Sequence, residues 1–190
     1  MRITSGEYRG RAVEVPKSEA IRPTQDRVRE ALFSIIQNEI EGARFLDLFA
    51  GSGAVGIEAL SRGASSAVFV ESNQRHIISL NKNLEKIVAR RKPVSVIRQD
   101  VYRWIESYIG GGFDIVYADP PYALGEEKGY ADVLRIVAER RLLNPGGIFI
   151  AEMTFSQRVD EVAGWELIKD RTYGKTRLVM WRKNGKLQVK

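Results

Sequence analysis

Cysteine is absent from the 190 residues, and histidine occurs once, at position 76. Disulfide bridges, thiolate metal centres and histidine ligand clusters are therefore excluded. No apolar run approaches the roughly 20 residues that a membrane span needs, and MRITSGEYRGRAV lacks the apolar stretch of a signal peptide. A reducing, cytoplasmic setting without membrane attachment is expected, with a monomer as the default. Repeats and low-complexity segments are also lacking. Proline is scarce, yet two of the six residues stand side by side at Pro120 and Pro121.

Basic residues are in excess. The formal net charge is +6, and it is unevenly spread. Eight Lys or Arg face one acid between Lys169 and Lys190, and seven face four between Met1 and Arg29. Two basic ends on a slightly acidic middle point to a polyanionic partner, nucleic acid above all.

Hydrophobic periodicity orders the chain. Residues 1–23, with ITSGEYRGRAVEVP, are expected to form a small basic hairpin extension ahead of a main domain at 24–190. Pro23 breaks the chain, Thr24 can cap a helix, and Val28, Leu32, Ile35, Ile36 and Ile40 then share one helical face. RFLDLF, SAVFVE, VSVIRQD, FDIVYADPP and GGIFIAEM are apolar runs suited to buried strands, and helical patterns separate them. One such helix, over 74–89, carries Ile77, Leu80, Leu84, Ile87 and Val88. Residues 165–183 predict two antiparallel strands turning at Gly174. The fold class is therefore α/β, a Rossmann-like, seven-stranded and mostly parallel sheet with helices on both faces. Such sheets bind ligands beyond the carboxyl ends of their strands. The polar residues cluster at those ends: Asp47 to Gly53, Glu71, Asp100 and Asp119 to Tyr122.

GSGAVG matches G-x-G-x-x-G at Gly51, Gly53 and Gly56, and Glu71 closes the next strand. That pattern also fits a NAD-dependent dehydrogenase. Asp47 distinguishes the two readings. A carboxylate just before the loop would repel a pyrophosphate and suit an ammonium or sulfonium group. S-adenosylmethionine carries both of these and no phosphate. Glu71 can accept bonds from two ribose hydroxyls, and Asp100 can accept one from an adenine amine. Asp47 and Asp100 could instead cap the helices that follow them.

ADPPY, residues 118–122, ends the fourth strand. The exocyclic amine of a base is a poor nucleophile because its lone pair is delocalised. Two acceptors aimed at its hydrogens, Asp119 and the Pro120 carbonyl, can direct that lone pair toward a methyl donor. Pro121 stiffens the corner, so little reorganisation is needed during reaction. Tyr122 can stack on the base plane.

D-P-P-Y after the fourth strand, with F-x-G-x-G after the first, resembles the amino-group N-methyltransferases that use S-adenosylmethionine. RGRAVEVP, RPTQDRVREALFSII, LDLFAGSGAVGIEALSRGA and ADPPY, in this order, resemble the RsmD family over essentially the whole chain. The resemblance implies methylation of the N2 amine of a guanine in 16S ribosomal RNA, either free or in a small-subunit assembly intermediate. It further implies that Asp47, Gly51 and Gly53 border the methionine part of the cofactor, that Glu71 holds the ribose, and that Asp100 lies at the adenine. Thr24 would lie near the cofactor or the target base, and Asp119, Pro120, Pro121 and Tyr122 would be catalytic. Phe49, Ala50, Ser72 and Val101 complete the expected cofactor-binding set. Arg2, Tyr8, Arg9, Arg11, Arg22 and Arg27 are expected to contact RNA, with Arg29 extending the basic surface and Tyr8 stacking on a base. A DNA amino-methyltransferase is the nearest rival, although 190 residues leave little room for a target-recognition region. A non-catalytic RNA-binding module is another.

Overall fold

The computed structural model describes residues 1–16, 23–89, 91–120, 130–159 and 161–184. These form two compact units, Met1–Val101 and Tyr102–Lys190. In the first, α1 (Pro23–Ile35) precedes β1 (Arg44–Leu48), α2 (Ala54–Ser61), β2 (Ser66–Glu71), α3 (Gln74–Asn83) and β3 (Val94–Arg98). Helix α4 (Val101–Ser107) leads into the second unit. There β4 (Phe113–Ala118), α5 (Tyr130–Glu139), β5 (Leu143–Thr154), β6 (Trp165–Tyr173) and β7 (Thr176–Lys183) follow.

Strands β1, β2 and β3 pair in parallel, with Asp47 opposite Phe69 and Glu71 opposite Arg98. Strand β4 pairs in parallel with β5, whereas β7 runs antiparallel to both β5 and β6. Among the described residues the sheet has seven strands in the order β3-β2-β1-β4-β5-β7-β6. This is the expected α/β architecture, including the terminal antiparallel pair.

Burial follows the periodicity. Val28, Leu32, Ile36 and Ile40 are buried on α1 and just beyond it, and Ile77, Leu80, Leu84, Ile87 and Val88 are buried after β2. The helix after β2 is not uniform, however. It changes at Leu84 to one π-helical turn, Leu84–Val88, and ends at Ala89 in a left-handed conformation. In the second unit Phe149 packs against Trp181, Trp165 and Tyr130 at ring separations of 6.1, 6.3 and 6.4 Å.

One expectation is corrected. Helix α1 begins at Pro23, which suits a first-turn position because no N–H is required there. Thr24 therefore lies inside the helix instead of capping it. The first 16 residues belong to the first compact unit, where an antiparallel bridge pairs Arg2 with Ala12 and the Ile3 and Val13 N–H groups donate to the Arg11 and Met1 carbonyls. Ile3, Tyr8 and Val13 are in the core, and the N–H groups of Thr4, Ser5, Glu7 and Tyr8 donate to α2. Glu58 of α2, fully buried, accepts the Thr4 N–H at 2.9 Å, the Thr4 hydroxyl at 2.6 Å and the Ser5 N–H at 3.1 Å. The Arg62 guanidinium donates to it at 2.8 Å, and Arg29 lies 3.5 Å away.

Removing one partner of a buried ion pair leaves the other charge uncompensated. Glu58→Ala leaves the buried Arg29 with Asp26 as its one carboxylate partner and frees the Thr4–Ser5 backbone. We expect a loss of about 3 kcal/mol or more in urea unfolding, and faster proteolysis of the first 16 residues.

Candidate functional site

The turn between β1 and α2 is sharply coiled. Phe49, Gly51 and Gly53 all have positive φ, at 62°, 54° and 80°. For a bulky residue such as Phe49 this conformation is strained, and such strain is concentrated at functional turns. Glycine is required at two places for reasons of space. A Cβ on Gly53 would stand 2.3 Å from Leu80, and one on Gly56 would stand 2.3 Å from the Phe69 ring and 3.1 Å from Asp47 Oδ2. Around Gly51, by contrast, the space is open.

That close approach lets the Gly56 N–H donate to Asp47 Oδ2 at 2.9 Å. The carboxyl is 1% exposed, and its Oδ1 has no hydrogen-bond partner. Burial pushes the Asp47 pKa up to about 8, against the opposing hydrogen bond from Gly56, and the Glu71 charge adds to the rise. The site thus holds an acid with one oxygen to spare, at the base of an open glycine turn. A cationic ligand beside that oxygen would favour the ionised form.

Glu71 closes β2 and is tied to the same turn. Its Oε2 accepts the Gly51 N–H at 2.9 Å, and its Oε1 accepts the Asn73 N–H at 2.7 Å. Each oxygen retains acceptor capacity for a hydroxyl. Ala50 is buried, and its N–H bonds to the Val70 carbonyl at 3.1 Å. Ser72 is exposed at the end of β2, and Asp100 is exposed one residue before α4 begins at the buried Val101. The structure therefore gathers Asp47, Phe49, Ala50, Gly51, Gly53, Glu71 and Ser72 around one turn. Two contributors escaped the sequence reading. His76 Nδ1 lies 3.3 Å from Glu71. Asn83, fully buried, donates to the Ser52 and Glu14 carbonyls at 2.9 Å and accepts the Glu14 N–H at 2.8 Å. No local motif marks Asn83, whose partners are distant in the chain; His76 stands close in sequence to its partner Glu71.

In the second unit, Asp119 is exposed and Pro120 half-buried immediately after β4. Pro121 and Tyr122 lie outside the described residues, as do Arg22 and the Thr24 side chain. A cluster that the sequence did not reveal stands beside the corner. The Tyr117 hydroxyl donates to Glu152 Oε2 and the Tyr130 hydroxyl to the Glu152 carbonyl, each at 2.6 Å. Burial first, then the Asp119 and Glu152 charges, hold Tyr130 well above the usual phenol range. Burial raises the Glu152 pKa, opposed by the Tyr117 hydrogen bond.

The proposed RNA contacts divide. Arg9 and Arg27 are exposed. Arg2 is exposed but donates to the Gly10 carbonyl at 2.8 Å. Arg11 lies over the Tyr8 ring and donates to the Ile87 carbonyl at 2.8 Å, so it closes the end of the π turn. Tyr8 is fully buried and Arg29 is 4% exposed. The Tyr8 ring is thus part of the core, not a stacking platform, and Arg29 is committed to Asp26, the Arg2 carbonyl and Glu58 instead of the surface. Lys92 similarly donates to the Leu60 and Ala64 carbonyls at the end of α2, both at 2.9 Å. Among the described residues no cluster of three or more acidic or histidine side chains could hold a metal ion.

Sheet order and acidic strand ends define a class I, Rossmann-like methyltransferase fold. The family model described as "Conserved hypothetical protein 95" matches residues 1–182, and the chain belongs to that family, the RsmD family. It is 36% identical to the ribosomal RNA small subunit methyltransferase D of Escherichia coli K12, covering 86% of this chain and 85% of that one. The protein of the same name from Haemophilus influenzae is 33% identical, over 92% and 89%. Among solved structures, yhhF of Escherichia coli superposes with a TM-score of 0.85 at 30% identity, covering 98% of this chain and 99% of that one.

The Asp47 pKa has a testable sign. Because it is raised in the folded chain, its stabilising contribution is complete below the unfolded value near 4 and is lost as pH rises toward about 8. Asp47→Asn keeps an acceptor for Gly56 and removes the titration. Between pH 5 and pH 8 the unmodified chain should lose on the order of 1–3 kcal/mol more stability than the variant in urea unfolding. Equal slopes would show that the carboxyl is ionised throughout.

Proposed function

We propose that this protein transfers a methyl group from S-adenosylmethionine to the exocyclic N2 amine of a guanine in 16S ribosomal RNA. It does so as a cytoplasmic monomer acting on the RNA or on an assembling small subunit. The observation that carries this reading is the Asp119–Pro120 corner at the end of β4, in a family whose relatives are named ribosomal RNA small subunit methyltransferase D.

The fit to the cofactor rests on the unpartnered, buried Oδ1 of Asp47 and on the open space at Gly51. Asp47 and the glycine turn would hold the methionine part, Glu71 the ribose and Asp100 the adenine. When bound, the cofactor supplies an electrophilic methyl group on a sulfonium, and its transfer leaves the neutral thioether of S-adenosylhomocysteine. The protein's task is to align the amine. The Asp119 carboxylate and the Pro120 carbonyl accept the two amine hydrogens, which turns the nitrogen lone pair out of conjugation and aims it. As the N–C bond forms, one of those protons leaves the nitrogen, and Asp119 is placed to take it and release it to water. Tyr122 would stack on the extruded base.

Asp119→Ala should lower kcat by about 10²–10³-fold. The upward shift in melting temperature on adding S-adenosylhomocysteine should remain, and NAD should produce none. Mass mapping of 16S ribosomal RNA from cells with and without the gene should show one methylguanine lost. Unchanged modification in both the deletion and the Asp119→Ala strain would overturn the proposal.

A further inference from the structure

Strand register brings a second set of side chains to the edge where β4 ends. Ala118 pairs with Ala151, so the end of β5 continues past the Asp119 corner. Thr154 at that end pairs with Thr176, and Thr176 pairs with Tyr173 across the β6–β7 turn. Strand β5 thus runs three residues beyond Ala151, the partner of Ala118, and Phe155 follows at its end.

Phe155 is 56% exposed. Single exposed apolar residues are common and need no explanation by themselves. Its setting is what sets this one apart. Segments 154–159 and 169–178, which meet here, carry Arg158, Lys169, Arg171, Lys175 and Arg177 against one acid, Asp170. That acid is already neutralised by Arg177, whose Nε lies 2.8 Å from Asp170 Oδ1. Arg171 and Lys175 are exposed. The platform is also tied down. The Phe155 N–H donates to the Lys175 carbonyl at 3.0 Å, and Arg177 donates to the Gln157 carbonyl at 2.9 Å. The β5 end and the β6–β7 turn are thereby joined, and the aromatic ring is carried on a pinned backbone.

We propose that Phe155 and the β6–β7 turn form a contact for single-stranded RNA next to the catalytic corner. Phe155 stacks on a base flanking the target guanine, while Arg171 and Lys175 hold the neighbouring phosphates. This rests on the reading of the protein as an RNA methyltransferase and extends it to a residue set beyond the D-P-P-Y motif. An exposed aromatic joined by its backbone to a cation-rich turn suits unpaired strands, because every base offers a face for stacking and every linkage a negative charge. Duplex nucleic acid, whose bases are stacked on one another, offers no face to Phe155.

The test compares the unmodified enzyme with Phe155→Ala, Phe155→Trp and the double variant Arg171→Ala/Lys175→Ala. The substrate is 16S ribosomal RNA lacking the modification, naked or within small subunits. Both methyl transfer and RNA binding are measured. Phe155→Ala should raise KM and the RNA Kd about tenfold, with kcat within about twofold and the melting shift by S-adenosylhomocysteine unchanged. Phe155→Trp should restore affinity, and the double variant should weaken it at low salt. Normal KM and Kd in Phe155→Ala, with an active parent enzyme, would overturn the contact. A parent enzyme that binds RNA through Phe155 but transfers no methyl group would refute the enzymatic reading and support the contact. A parent enzyme that does neither would overturn both.

Discussion

The hydrogen bond from the Gly56 N–H to the Asp47 carboxyl sets the geometry of the first unit. It joins a strand to the helix that follows across a turn too tight for side chains at Gly53 and Gly56. Three features accompany it: a positive φ at Phe49, a fully buried acid and a turn left open at Gly51. Burying a carboxyl is costly, and a single backbone donor offsets only part of that cost. The residual cost is retained where a cationic ligand could relieve it.

Much of this was legible in the sequence because it is local. Apolar runs of strand length, helical spacing at Val28, Leu32 and Ile36, and the glycine punctuation after Leu48 all report short-range physics. The acids at the strand ends, Asp47, Glu71, Asp100 and Asp119, could be placed because a parallel α/β sheet fixes where its strands end. What could not be read depends on partners far away in the chain. Glu58 looks like an ordinary surface residue of an amphipathic helix, yet it is buried because Thr4, Ser5 and Arg29 converge on it. Tyr8 and Arg29 looked like surface residues for the same reason. Asp26, three residues before Arg29, is a local partner, but nothing near either residue marks Glu58 or Ser61.

The N-terminal segment is therefore tied to the glycine turn of the first unit. Asn83 makes the connection explicit. One amide side chain bonds to the backbone at Glu14 and at Ser52, the residue between the two loop glycines. The π turn beginning at Leu84 directly follows this residue, and Arg11 and Ala89 close its far end. Irregular helical turns of this kind recur beside functional sites because they re-aim side chains at the cost of regular hydrogen bonding.

The cations committed to internal carbonyls and carboxylates have a consequence for how this protein senses its ionic surroundings. Arg29 and Arg62 serve Glu58, Lys92 serves the end of α2, and Arg177 serves Asp170. None of these needs to give up its partner when a polyanion arrives, so none displaces condensed counterions from it. Of the 30 Lys and Arg residues, the number that couples binding to salt is correspondingly smaller. The steepness with which affinity falls as salt rises will count the outward-facing cations alone.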